Sequence, residues 1–152
     1  MRALILVLLA CLVATQPAYG GDIAVLSSPE FRNPPTVARV RSIVQEVVSE
    51  FHISDEALPN MIVVFVNRNG ADVQRLPKAH TVSDRFIRDG AVLYQVWIID
   101  DPSERAVVDA IVYIAEHEAG ARRSSAELSA MIHRICTRLK MVVSAADLQQ
   151  KR

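Results

Sequence analysis

The chain has 152 residues, 17 basic and 17 acidic groups, and an apolar fraction of 51%. Balanced charge gives no electrostatic case for binding nucleic acid or an anionic membrane, and the apolar content is well above that of a disordered polypeptide. Two cysteines, one of them close to the N-terminus, leave little room for a disulfide framework.

The first 20 residues read as an export signal. Arg2 is followed by the apolar run Ala3 to Val13, then by Ala18 and Gly20 at the spacing of a signal-peptidase site. The run is too short to anchor the chain across a bilayer. Leu8-Leu9-Ala10-Cys11 also resembles a lipobox, so lipidation of Cys11 is the minor alternative to a secreted or periplasmic protein beginning near Gly21. Without the leader the net charge falls to near −1, and Cys136 is left with no intrachain partner. The mature chain suits one domain, able to bury roughly two-thirds of its unfolded surface. Charge is unevenly placed: positions 21–121 hold 9 basic and 15 acidic residues, and 122–152 hold 7 basic and 2 acidic. The simplest expectation is that the basic end packs near the acidic remainder.

Positions 21–35 are rich in turn formers, including Ser27-Ser28-Pro29 and Asn33-Pro34-Pro35, and read as a flexible lead-in. Within it, Ile23 to Leu26 could form a short edge strand. The globular domain is expected over 36–150. From Thr36, the residues Val37, Val40, Ile43, Val44, Val47, Val48 and Phe51 recur at helical spacing and predict an amphipathic helix ended by His52. Met61 to Val66 is a fully apolar run, the pattern of a buried strand. Asn69-Gly70 and Asp89-Gly90 supply the positive backbone angles of tight hairpins. Ala71 to Lys78 is ambiguous between a return strand and an irregular loop, while Thr81 to Arg88 and Ala91 to Ile99 flank the second hairpin turn.

The strand ending in Val96-Trp97-Ile98-Ile99 runs into Asp100-Asp101-Pro102-Ser103-Glu104. Asp101 is expected to accept from free helix N–H groups, Pro102 to take the first helical position, and Glu104 to complete a capping box. Between Ala106 and Ala115 only Asp109 is charged, so this helix is predicted to be buried over most of its circumference. A last helix begins at Ser124 or Ser125, with Ser124 and Glu127 spaced as a capping box. Its apolar stripe runs through Leu128, Met131, Ile132, Ile135, Cys136, Leu139 and Val142, with Cys136 read as a small buried hydrophobe. The fold class is α+β: three main helices on a small mixed or antiparallel sheet of three to four strands.

Candidate chemistry is confined to Glu116-His117-Glu118 at the end of the central helix. Helical spacing places Glu118 on the side of Val107, Ile111 and Ile114, where an unpaired charge is costly, so it needs a partner such as Arg122 or a polar pocket. His117 falls at the boundary of the two faces. A strand entering a long apolar helix that ends in His-Glu, among a sheet and two further helices, resembles the minimal zincin fold of zinc metallopeptidases over roughly 36–140. In that family the motif H-E-x-x-H supplies two zinc ligands and a general base. The resemblance implies His117 as a metal ligand, Glu118 as the catalytic base and zinc as the cofactor. Ala121 stands where the second ligand would be, so a ligand would have to be recruited from His80, His133 or Glu127. The alternative is that His117 and Glu118 finish an amphipathic helix and pair with Arg122 or Arg123.

There is no Gly-rich phosphate loop, no G-x-S-x-G turn and no paired-cysteine metal spacing. Tyr94 and Trp97 point to opposite faces of their strand, which excludes a shared aromatic platform. The functional expectation is therefore a non-catalytic exported module, without a cofactor, that binds a protein or another envelope component. A zinc-dependent hydrolase centred on His117 and Glu118, or its inactive descendant, is the alternative.

Overall fold

A computed structural model describes residues 21–54, 58, 60–69 and 80–141. In chain order the elements are β1 (Ile23–Ser27), α1 (Val37–Phe51), β2 (Met61–Val66), β3 (Thr81–Arg88), β4 (Ala91–Ile99), α2 (Glu104–Ala119) and α3 (Ser125–Arg138). The strands form one sheet in the order β1-β2-β4-β3; β1, β2 and β4 are mutually parallel and β3 runs antiparallel to β4. This is the expected α+β arrangement, with the sheet of the mixed kind. The short strand at Ile23 is present as an edge, matched residue for residue to Met61 through Phe65. Among the described residues no helix is long and apolar enough to cross a membrane.

Every residue of β2 is buried, as an uninterrupted apolar run between two parallel neighbours requires. Alternation splits its side chains. Met61, Val63 and Phe65 join the main core with the three helices, and Ile62, Val64 and Val66 join a second cluster with Ile99, Leu93 and Trp97 on the opposite face. Tyr94 belongs to the main core and Trp97 to the second cluster, on the opposite faces assigned from their spacing. Asp89 and Gly90 take φ of 52° and 79°, the left-handed pair that closes a two-residue hairpin between β3 and β4. The reading of Asn69-Gly70 and Ala71 to Lys78 falls largely outside the described residues.

Helix α1 starts at Thr36, whose hydroxyl accepts from the Arg39 backbone N–H, and stops at His52, which adopts φ 53° and donates its N–H to Ser49 O. Helix α2 starts later than its sequence suggests. Its N-cap is Ser103, whose Oγ accepts from Ala106 N at 3.1 Å, while Asp101 Oδ1 accepts from Ser103 N at 3.0 Å. Asp101 thus closes a turn ahead of the helix, Pro102 lies outside it, and Glu104 is the first helical residue rather than the end of a capping box. Free of that duty, Glu104 accepts two bonds of 2.8 Å from Arg39, which also donates to Leu139 O at 2.8 Å. One guanidinium so ties the start of α1 to the start of α2 and the end of α3.

Val107, Val108, Ile111, Val112, Ile114 and Ala115 of α2 are all buried, which makes this helix the spine of the main core. Helix α3 has the capping box expected from Ser124 and Glu127. Met131, Ile135 and Cys136 are buried, with Leu128, Ile132 and Leu139 packed against the same core. The basic end of the chain does meet acidic partners: Arg134 and Arg138 of α3 reach Glu46 and Glu50 of α1 at 2.6–2.8 Å.

Candidate functional site

The last turn of α2 faces the middle of β3. Helix α2 ends because Gly120 takes φ 62°, a left-handed conformation that glycine adopts at no steric cost, and its N–H returns to His117 O at 3.2 Å. The consequence for the His-Glu motif is geometric. Ala121, the position of the second ligand in the zincin pattern, lies beyond the helix and not one turn along its face.

Glu118 is turned inward, as its helical position requires, with a side chain 22% exposed. Its partner is not Arg122. Glu118 Oε1 accepts a short hydrogen bond from the Tyr94 hydroxyl of β4 and lies 3.5 Å from Arg85 Nε of β3. A central tyrosine and an edge-strand arginine thus hold one carboxylate from the two strands facing the helix. Burial first, and then the bond to Glu118, push the Tyr94 phenol up to about 12, with the Arg85 guanidinium acting against both.

His117 points outward, its side chain 80% exposed, with Nδ1 3.9 Å from Glu118 Oε1. Glu116, on the other side of the turn, is held by Arg123, whose backbone N–H donates at 2.6 Å and whose guanidinium donates at 2.5 Å. The backbone bond leads in holding the Glu116 carboxyl below its usual range, with the guanidinium adding to it. Arg123 also lies 4.7 Å over the Phe51 ring, so this pair fastens α2 to α1.

Between β3 and α2 lies a hollow of about 260 Å³, lined by Ser83, Asp84, Arg85, Tyr94, Tyr113, Ile114, His117 and Glu118. A second hollow of about 440 Å³ shares Ser83 and Tyr113 with it and continues past Thr81, Asp109 and Ala110. Together they make a furrow along the edge of the sheet. Tyr113 stands on its rim, 70% exposed.

The structure therefore brings His117 and Glu118 into one hollow with Asp84 and leaves the other candidates elsewhere. His80 precedes β3 opposite Ile99, His133 is exposed on α3, and Glu127 is committed to the Ser124 cap. Among the described residues no three His, Cys, Asp or Glu side chains are grouped to hold a metal ion. The one inward carboxylate is occupied by a phenol and a guanidinium. These donors do not fit a catalytic zinc, and no reaction step follows from them.

Arg85 and Tyr94 were not among the sequence candidates, although one signal could have found them. The two-residue turn at Asp89-Gly90 fixes Arg88 opposite Ala91, and counting back in that register sets Arg85 opposite Tyr94. Compared with protein-family models, curated proteins and solved structures, the chain matches none.

Proposed function

We propose that this chain is an exported, non-catalytic binding module that takes a protein ligand in the furrow between β3 and α2. The observation that carries the reading is the engagement of Glu118. A general base must be able to reach a proton on the reacting partner, whereas this carboxylate accepts from Tyr94 and faces Arg85 within the protein. What the furrow offers a ligand is recognition chemistry: an exposed tyrosine at Tyr113, an exposed imidazole at His117, and a paired guanidinium at Arg85. Exposed aromatics and arginine beside a concavity are the side chains that dominate protein interfaces. The leader supports export as the setting.

The test is an array of immobilised peptides probed with the purified protein, followed by titration of the best binder. Binding is expected in a subset, weakened roughly tenfold by Tyr113→Ala, as for a tyrosine anchor, and unchanged by Arg41→Ala on the far helix. Absence of binding throughout the array would remove the reading. Turnover of casein that depends on added zinc and is lost in Glu118→Gln would replace it with the hydrolase alternative.

A further inference from the structure

Among the described residues, the outer edge of β3 has no strand paired to it. The bond from Ile99 N to His80 O, 2.8 Å long, sets the phase of the antiparallel ladder with β4. Donor and acceptor in such a ladder lie directly opposite, so His80, Val82, Asp84, Phe86 and Arg88 direct their backbone groups toward β4. Thr81, Ser83, Arg85 and Ile87 direct theirs outward, and no described residue pairs with them. Edge strands are commonly guarded by a proline, a bulge or shortness. This one is eight residues long, has no proline, and keeps an unbroken register from Thr81 to Arg88. It also exposes two large apolar side chains, Phe86 at 46% and Ile87 at 68%.

We propose that β3 pairs antiparallel with the β3 of a second copy, joining two sheets about a twofold axis that passes beside Phe86. The order of residues along the strand favours this register. A twofold axis normal to the sheet preserves its faces, so the position at the axis must oppose itself. Centring on Asp84 or on Arg85 sets like charges directly opposite, which is destabilising. Centring on Ser83 places Val82 against Asp84, and centring on Ile87 places Phe86 against Arg88. Centring on Phe86 sets Phe86 against Phe86, Asp84 opposite the position of Arg88 in the second copy, and the outward backbone of Arg85 opposite that of Ile87. The phase also suits this centre: Phe86 is then a non-hydrogen-bonded pair, whose side chains approach most closely, flanked by pairs that exchange about four backbone bonds. Ile87 of the second copy comes to stand beside Arg85 at the mouth of the furrow, giving that hollow a wall that one chain lacks.

The association is of the weak class expected for a small interface, and the strand sequence provides its own test. In sedimentation equilibrium the protein should shift from monomer toward dimer as it is concentrated into the range of roughly hundreds of micromolar. Asp84→Arg sets arginine against arginine and Arg88→Asp sets aspartate against aspartate, each twice per dimer. Each should weaken association about tenfold, and the double variant, in which the pair is swapped, should restore it. Phe86→Cys should close under mild oxidation to a covalent dimer, the bridge mapping from position 86 to position 86, because the opposed Cα atoms fall within disulfide reach. Val82→Cys should not. Should a charge variant fail to fold, by its circular dichroism, the cysteine pair still decides. A protein monomeric at every concentration, whether its charges guard the edge or another protein's strand takes it, overturns the proposal. So does a dimer indifferent to Asp84→Arg, one that the double variant does not rescue, or one in which the bridge at position 86 does not form.

Discussion

Tyr94 couples the sheet to the end of α2 through a single proton. Its hydroxyl donates to Glu118, and burial together with that carboxylate raises the phenol to about 12. A tyrosine held above its ordinary value near 10 binds its proton more tightly when folded than when unfolded. Its stabilising contribution is fully present below about pH 10 and is lost as pH rises through about 12. In an alkaline titration followed by phenolate absorbance, one late phenol is expected, and it should vanish in Tyr94→Phe. That variant also strips Glu118 of a donor while leaving it largely buried beside Arg85, a change that should cost about 1–2 kcal/mol in urea unfolding at pH 7. Absence of a late-titrating phenol, or a neutral Tyr94→Phe, would mean that the hydrogen bond is not formed in solution.

Among the elements, the junction of α1 and α3 is the most heavily charged. Glu50, whose side chain is 13% exposed, accepts from both Arg134 and Arg138. Burial alone would raise its carboxyl; the hydrogen bonds from Arg138 and Arg134 outweigh it and hold the group below its usual range. A depressed carboxylate contributes stability that is present above the unfolded value near 4.3 and lost as pH falls through the folded one. Glu50→Ala should therefore destabilise by about 1–2 kcal/mol at pH 7, the half-exposed arginines keeping the figure below that of a fully buried pair. Denaturant melts at pH 7 and about pH 3 check this, since the difference from the parent protein should shrink at the lower pH. A gap that is the same at both values would trace the loss to packing and not to charge.

These elements also mark what was legible in the residue order. Helices α1, α2 and α3 and strand β2 could be read from apolar spacing, and the Ser124–Glu127 cap from a local pattern, because those signals act within one or two turns. The start of α2 could not: Asp101 and Ser103 are both capping residues two positions apart, and only the turn closed by Asp101 decides between them. The partner of Glu118 was equally hidden. Arg122 was near in sequence, whereas Arg85 is brought close by the β3–β4 register, which the Asp89-Gly90 turn encodes, and by the packing of α2 on the sheet, which no local pattern does. The His-Glu pair lines the hollow between β3 and α2, but the chemistry inferred from it depended on a further helical turn that Gly120 ends.

For the molecule as a whole, the sheet is the shared wall of two apolar clusters. Val96 and Ile98 of β4 face the helices, while Trp97 between them faces the second cluster. Neither cluster can be lost while β2 and β4 stay paired and covered, so the two should melt as one cooperative unit. The sequence contains a single tryptophan, which makes the claim measurable. Trp97 fluorescence reports the second cluster and far-ultraviolet circular dichroism reports the helices on the other side. The two urea transitions are expected to superimpose. Ile111→Ala, which empties a fully buried position in α2, should lower stability by about 2–5 kcal/mol and move both probes together, although Ile111 sits across the sheet from the indole. Ile135→Ala in α3 should act alike for the same reason. A variant that shifts the circular dichroism transition and leaves the fluorescence transition in place would show that the two faces of the sheet are stabilised independently, and that β2 and β4 do not transmit packing from one cluster to the other.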